Sequence, residues 1–352
     1  MNFEPLKNTR IIDTALGKEV DKIPVWIMRQ AGRYLPEFRE LRSRFDFFTM
    51  CQTPQLAMEV TLMPIKRFDL DAAIIFSDIL VIPQALGMDV ELVSGRGMVF
   101  PQPLKSPMDI DKLLYPVDVK EKLNYVFEAI TLTRHNLKGE VPLLGFSGAP
   151  WTLMCFMVEG ETSSTKSKAK AWLYKYPEES KKLLDLLTDV IIDYLVGQIE
   201  AGAQMIQVFE TLAEYLNKSL FDVYCYNYIK KISKCVRTKL KEKNIPEVPM
   251  VIFAKGAHYA LKELSEAGYE VVSIDWTINP EEARKLMNSN ITVQGNLDPC
   301  ALYASSDTLR EITKNMVQNF GKTRYIANLG HGIYPDMNPD NVKIFIDTVH
   351  SF

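Results

Sequence analysis

Five arginines, Arg29, Arg33, Arg39, Arg42 and Arg44, fall within sixteen residues that hold only two acids, Glu37 and Glu40. A guanidinium is a rigid fork of N–H donors that matches a carboxylate, so the cluster suits a ligand carrying several carboxylates. Arg29 and Arg33 stand four apart, and if this stretch turns helically their forks point the same way. A solvated, salt-bridged surface helix is the alternative, but Gln30-Ala-Gly-Arg-Tyr-Leu-Pro36 behind an apolar run looks like a loop entering a cleft. Asp78 closes the run Ala72-Ala-Ile-Ile-Phe-Ser77, where a carboxylate would leave an apolar strand for a cleft; on spacing alone it serves equally as a helix N-cap. His331 lies in Asn328-Leu-Gly-His-Gly-Ile-Tyr-Pro335. Flanking glycines permit close approach of backbone to a ligand, against the alternative of a satisfied core histidine. No second His or Cys stands at ligand spacing, so no metal is expected.

These residues need a frame. Short apolar runs of strand length occur at 23–28, 72–76, 141–146, 205–209, 250–254, 271–274, 291–293 and 325–329, with helical periodicity between them at 54–68, 123–137, 180–201, 224–241 and 305–320. Alternating strand and helix implies a parallel sheet. Eight units suit an α/β fold of the (β/α)8 TIM-barrel kind. An open doubly wound sheet competes, but the first run leads into Arg29-Gln-Ala-Gly-Arg33 and not into a glycine-rich phosphate cradle. Residues 88–101 read as an inserted hairpin. In a barrel the strand ends converge on one mouth, which would gather Arg29, Arg33, Ser77, Asp78, Ser147, Glu210, Thr211, Lys255, Asp275, Asn296, Asp298 and His331.

The chain has 352 residues, 47% of them hydrophobic, with no linker or low-complexity tract, and one domain over residues 1–352 is expected. A net charge of −3 supplies no global field for nucleic acid or an anionic membrane. Five widely spaced cysteines indicate neither a disulfide framework nor a zinc knuckle. The polar first ten residues, and the lack of an apolar run long enough for a span, point to a soluble, cytoplasmic protein.

Several motifs carry a resemblance. Ile23-Pro-Val-Trp-Ile-Met-Arg-Gln-Ala-Gly-Arg-Tyr-Leu-Pro-Glu-Phe-Arg39 and Gly145-Phe-Ser-Gly-Ala-Pro-Trp-Thr-Leu-Met154 resemble the two signatures of the uroporphyrinogen decarboxylase family, and Ile75-Phe-Ser-Asp-Ile-Leu80, Gln294-Gly-Asn-Leu-Asp-Pro299 and 328–335 are similar to further family motifs. The resemblance implies a cytosolic homodimeric barrel, free of cofactor and metal, that converts the four acetate side chains of uroporphyrinogen to methyls and yields coproporphyrinogen for haem synthesis. By match, Asp78 would accept from the central pyrrole N–H groups. Arg29, Arg33 and Arg42 would face carboxylates, Arg29 being also a candidate proton donor. His331 would contact a carboxylate, and Phe38 would pack on the macrocycle.

Three departures accompany it. The family's tyrosine two residues after Met154 is Phe156, its serine after the fourth strand is Thr211, followed by an unusual Leu212-Ala-Glu214, and its glycine-rich stretch after Gly160 reads Glu161-Thr-Ser163. The Glu161 charge would either repel a polyanion or lie outside the mouth. These departures keep two alternatives open: a porphyrinogen-binding homologue with weakened catalysis, and a zinc-dependent methyltransferase on the same barrel. The second lacks the His-x-Cys its zinc would need.

Overall fold

The computed structural model describes residues 2–352. Seven parallel strands form one curved sheet in the order β1 (Ala73–Ile74), β4 (Leu143–Gly148), β5 (Met205–Glu210), β6 (Met250–Ala254), β7 (Val271–Ser273), β8 (Thr292–Leu297) and β9 (Tyr325–Leu329). The remaining two, β2 (Glu91–Val93) and β3 (Gly97–Val99), pair antiparallel as the inserted hairpin. Residues 23–28 close the barrel between β9 and β1: Val25 bridges Ala327, and the Asp71 amide donates to the Val25 carbonyl at 2.9 Å.

That closing segment is not the regular strand its apolar run suggests. Pro24 has no N–H to give, and side chains take up amides that a ladder would have used. Asp71 accepts from Val25 at 2.8 Å, Gln30 from Ile27 at 3.2 Å and Asn328 from Met28 at 3.0 Å. The barrel interior carries an apolar layer that includes Trp26, Leu144, Met205, Val251, Val271 and Ile326. Above it the Gln294 amide accepts from Trp26 Nε1 at 2.8 Å and donates to Gln207 at 3.1 Å and Ser273 at 3.0 Å. Inward residues fill the barrel, leaving function to the rim.

Helices α1 (Pro36–Arg44), α2 (Pro54–Arg67), α3 (Asn124–Leu137), α4 (Pro150–Glu159) and α5 (Pro177–Ala201) pack outside the sheet. Four of the five begin with proline at the first turn, where its missing donor is harmless. Among the described residues no helix is long and apolar enough to cross a membrane.

Candidate active site

Arg29 stands just beyond the closing segment in the left-handed region, φ 64°. The Arg29/Arg33 pair therefore does not lie on a helix: residues 30–35 form turns, with the Tyr34 hydroxyl donating to the Gln30 carbonyl at 2.7 Å and the Leu35 amide to Gly32 at 3.0 Å, and α1 begins only at Pro36. The two guanidinium groups are nevertheless close enough to repel. Burial lowers the Arg29 proton affinity, Asp78 and Tyr334 oppose that, and Arg33 adds to it. Neither guanidinium has a hydrogen-bond or ion-pair partner among the described residues, so both keep donors free for an anion.

The other arginines of the cluster are partly committed. Arg39 donates to the carbonyls of Arg33 at 2.8 Å and Tyr34 at 3.0 Å, Arg42 to that of Phe45 at 2.8 Å, and Arg44 lies over the Phe45 ring. Arg39 thus braces the turn that carries Arg33. Arg42 retains four of its five donors.

Asp78 sits past β1, half-buried. Its Oδ1 accepts from the Leu80 amide at 2.7 Å, which closes a turn and does not cap a helix, since the helix Val81–Ala85 has Leu80 at its N-cap and no side-chain cap; Oδ2 is left for a ligand. Burial raises its pKa, against the pull of the Leu80 amide and the Arg29 charge. Asp78 and Arg29 feel each other without an ion pair between them. Behind Asp78 lie Tyr125, Tyr194 and Cys51, whose own proton affinities burial and the Asp78 charge both increase. Neither tyrosine was expected there, because helical periodicity in α3 and α5 marks a position as inward without saying what it faces.

His331 follows β9. Its ring lies 6.3 Å from that of Phe253, tilted, and 6.3 Å from that of Trp276, edge-on, next to an edge-on series of Phe146 to Phe209 at 5.7 Å and Phe209 to Phe253 at 6.3 Å. This arc of aromatic rings crosses the ends of β4, β5 and β6; the sequence shows these phenylalanines only as apolar strand residues. Burial, aided by Arg29 and Lys255, pushes the His331 pKa down to about 4, so the ring is neutral at pH 7. The flanking glycines serve neighbours within the chain. A Cβ at Gly332 would fall 2.3 Å from Arg29 Cδ, and one at Gly330 would fall 2.5 Å from the Trp276 nitrogen. They seat the arginine and Trp276.

Phe38 is only 4% exposed and packs edge-on against Phe76 at 5.7 Å, which leaves little of its ring for a ligand. Phe156 and Thr211 are both half-buried. Glu161 pairs with Arg96 of the hairpin turn at 2.5 Å, so its charge is neutralised on the surface between two partly exposed side chains. Among the described residues no group of three or more His, Cys, Asp or Glu converges to hold a metal ion.

Glu210, at the end of β5, is wholly buried. Thr152 Oγ1 in α4 donates to its Oε1 at 2.5 Å, while Oε2 has no partner. Burial, opposed by Thr152 and the first amides of α4, lifts its pKa to about 8. A carboxyl whose folded pKa exceeds its unfolded value weakens the fold as pH rises from the unfolded value to the folded one, because only the unfolded chain ionises freely there. Glu210→Gln is therefore expected to be more stable than wild type by a margin that grows between about pH 4.5 and 8 and then levels off, reaching on the order of 5 kcal/mol. Chemical denaturation at pH 5 and pH 8 checks this; an equal difference at both would refute it.

The family model described as uroporphyrinogen decarboxylase (URO-D) matches residues 6–352. The chain is 55% identical to the uroporphyrinogen decarboxylase of Homo sapiens over 348 residues, covering 99% of this chain and 95% of that one. Against the one from Danio rerio it is 54% identical over 350 residues, with the same coverage. Among solved structures, a methyltransferase from Methanosarcina mazei superposes with a TM-score of 0.81 at 18% identity over 99% of both chains, a likeness of fold alone. The chain belongs to the uroporphyrinogen decarboxylase family.

Proposed function

We propose that the cleft decarboxylates the four acetate side chains of uroporphyrinogen III to give coproporphyrinogen III, with Asp78 as the central acceptor and Arg29, Arg33, Arg42 and His331 holding carboxylates at the rim. The observation that carries this reading is the pairing of two unpartnered guanidinium groups with an enclosed carboxylate that they do not touch. A ring of pyrrole N–H donors with carboxylates at its edge fits such a floor and rim.

The chemistry follows from the substrate. A proton adds to the pyrrole α-carbon next to the carbon that bears the acetate, and the resulting cation is conjugated through that neighbouring carbon to the methylene. The bond to the carboxylate then breaks, CO2 leaves, and its electron pair neutralises the ring. Protonation of the methylene and loss of the ring-carbon proton give the methyl. The pyrrole is its own electron sink, so this reading calls for no cofactor and no metal. Asp78, when ionised, would stabilise the cation, an effect worth about 3 to 4 kcal/mol for one well-placed group.

Arg29 is the candidate proton donor by resemblance. Burial and Arg33 ease release of its proton, although a guanidinium remains a weak acid. His331, neutral at pH 7, would meet a carboxylate as an N–H donor rather than as a cation. Phe156 would face the ring beside Asp78 and Thr211 its edge, while Phe38, packed behind Phe76, would back the wall. Turnover of uroporphyrinogen III by the purified chain tests the whole scheme.

Phe156 removes a hydroxyl that the family offers near the aspartate. Phe156→Tyr is expected to raise turnover by up to about tenfold, as one added hydrogen bond would. Steady-state kcat decides it, and an unchanged or lower value would sink the idea. We further read the protein as a homodimer of the cytoplasm, with one domain per chain; sedimentation at micromolar concentration should give twice the chain mass, and a monomer would oppose it.

A further inference from the structure

Lys255 follows β6, across the barrel from Arg29, and is held in an unusual way. Its Nζ lies 2.7 Å from Glu214 Oε1 and 5.6 Å from the centre of the Trp276 ring, which in turn meets His331 edge-on at 6.3 Å. Its charge helps depress the His331 pKa, so it belongs to the same mouth. Glu214 is pressed against Gly256: a Cβ there would fall 2.5 Å from Glu214 Cβ, and Gly256 has φ +73°. A glycine thus makes room for an acid beside the lysine. Lys255 and Glu214 are 20% and 34% exposed, so water reaches the pair and it can open.

A carboxylate already occupies the cation that a carboxylate-rich ligand would seek. We propose that Glu214 is a built-in counter-ion of Lys255 that a substrate carboxylate displaces, making this pair a sensor of how many carboxylates the ligand carries. The inference rests on the decarboxylase reading. Each acetate lost removes one negative charge, so the fully reacted ligand competes less well with Glu214. When Glu214 regains Lys255, the mouth loses one hold on the product and release is favoured. A pair that merely fastens residues 212–216 to 255–257 would have no such dependence on charge number.

The test uses full-length protein in the Asp78→Asn background, where turnover does not consume the ligand, and reads dissociation constants from tryptophan quenching under anaerobic conditions. Probes are the eight-carboxylate and four-carboxylate porphyrinogens. Glu214→Gln should tighten the eight-carboxylate ligand, which must displace Glu214, by about three- to fivefold and the four-carboxylate ligand, which leaves the pair closed, by less than twofold. Lys255→Met should weaken the eight-carboxylate ligand by a similar factor and abolish the effect of Glu214→Gln in the double variant. Equal shifts for both ligands, or none, would overturn the proposal, as would unchanged affinity in Lys255→Met. Thermal midpoints report whether each variant folds. Turnover of the wild type is read separately: its absence would count against the decarboxylase reading, whereas the affinities judge the sensor alone.

Discussion

Asp78→Asn is expected to lower kcat by about 10²- to 10³-fold while leaving the fold at least as stable as wild type. The substitution keeps the shape and the Oδ1 that accepts from Leu80, and removes only the charge. Loss of rate would follow because the pyrrole cation no longer faces an anion. The stability arm has its own sign. Burial raises the Asp78 pKa in the folded chain, so folding is penalised as pH rises above the unfolded value, where only the unfolded chain ionises freely. An uncharged residue escapes that penalty, and the variant should melt no lower than wild type at pH 7. Asp78→Gly should likewise abolish turnover in a folded protein. Single-turnover rates together with thermal melts decide the matter: an active Asp78→Asn removes the central acceptor, and an inactive but unfolded one is excluded by its melt.

The second large effect lies in the arginine pair. Arg29→Met should raise KM by about 10- to 100-fold, the expected loss of a charge-assisted hydrogen bond to a carboxylate. It should also move the acidic limb of kcat/KM to higher pH. On this account that limb reports ionisation of Asp78 in the free enzyme, and the Arg29 charge, after the Leu80 amide, pulls the Asp78 pKa down against burial. Arg33→Ala should raise KM without moving the limb, since Arg33 acts on Arg29 and is absent from the influences on Asp78. A limb that stays in place in Arg29→Met would show that Asp78 titration does not govern the rate.

Much of this arrangement can be read from residue types alone, and the exceptions have definite causes. Strand ends follow apolar runs, so Arg29, Asp78, Thr211, Lys255 and His331 are traceable to one mouth before any coordinates. The closing segment is misread as a regular strand because its amides are satisfied by Asp71, Gln30 and Asn328, which lie from 3 to 300 positions away in the chain. Composition counts arginines equally, whereas backbone carbonyls claim Arg39 and part of Arg42. The glycines beside His331 suggest room for a ligand, but that room is taken by Arg29 and the Trp276 backbone. A lone acid such as Glu161 has no visible partner in sequence; its partner Arg96 lies on a hairpin 65 residues back. Pairings across strands depend on the closed sheet, and that is where local pattern ends.

The most direct test of the account is anaerobic incubation of the purified chain with freshly reduced uroporphyrinogen III, without added metal or cofactor, followed by oxidation and chromatographic separation of porphyrins by carboxylate number. The account predicts stepwise appearance of seven-, six-, five- and four-carboxylate products, and their absence in Asp78→Asn. Recovery of unchanged eight-carboxylate material from folded protein that binds it would contradict the account and leave a porphyrinogen-binding protein in its place.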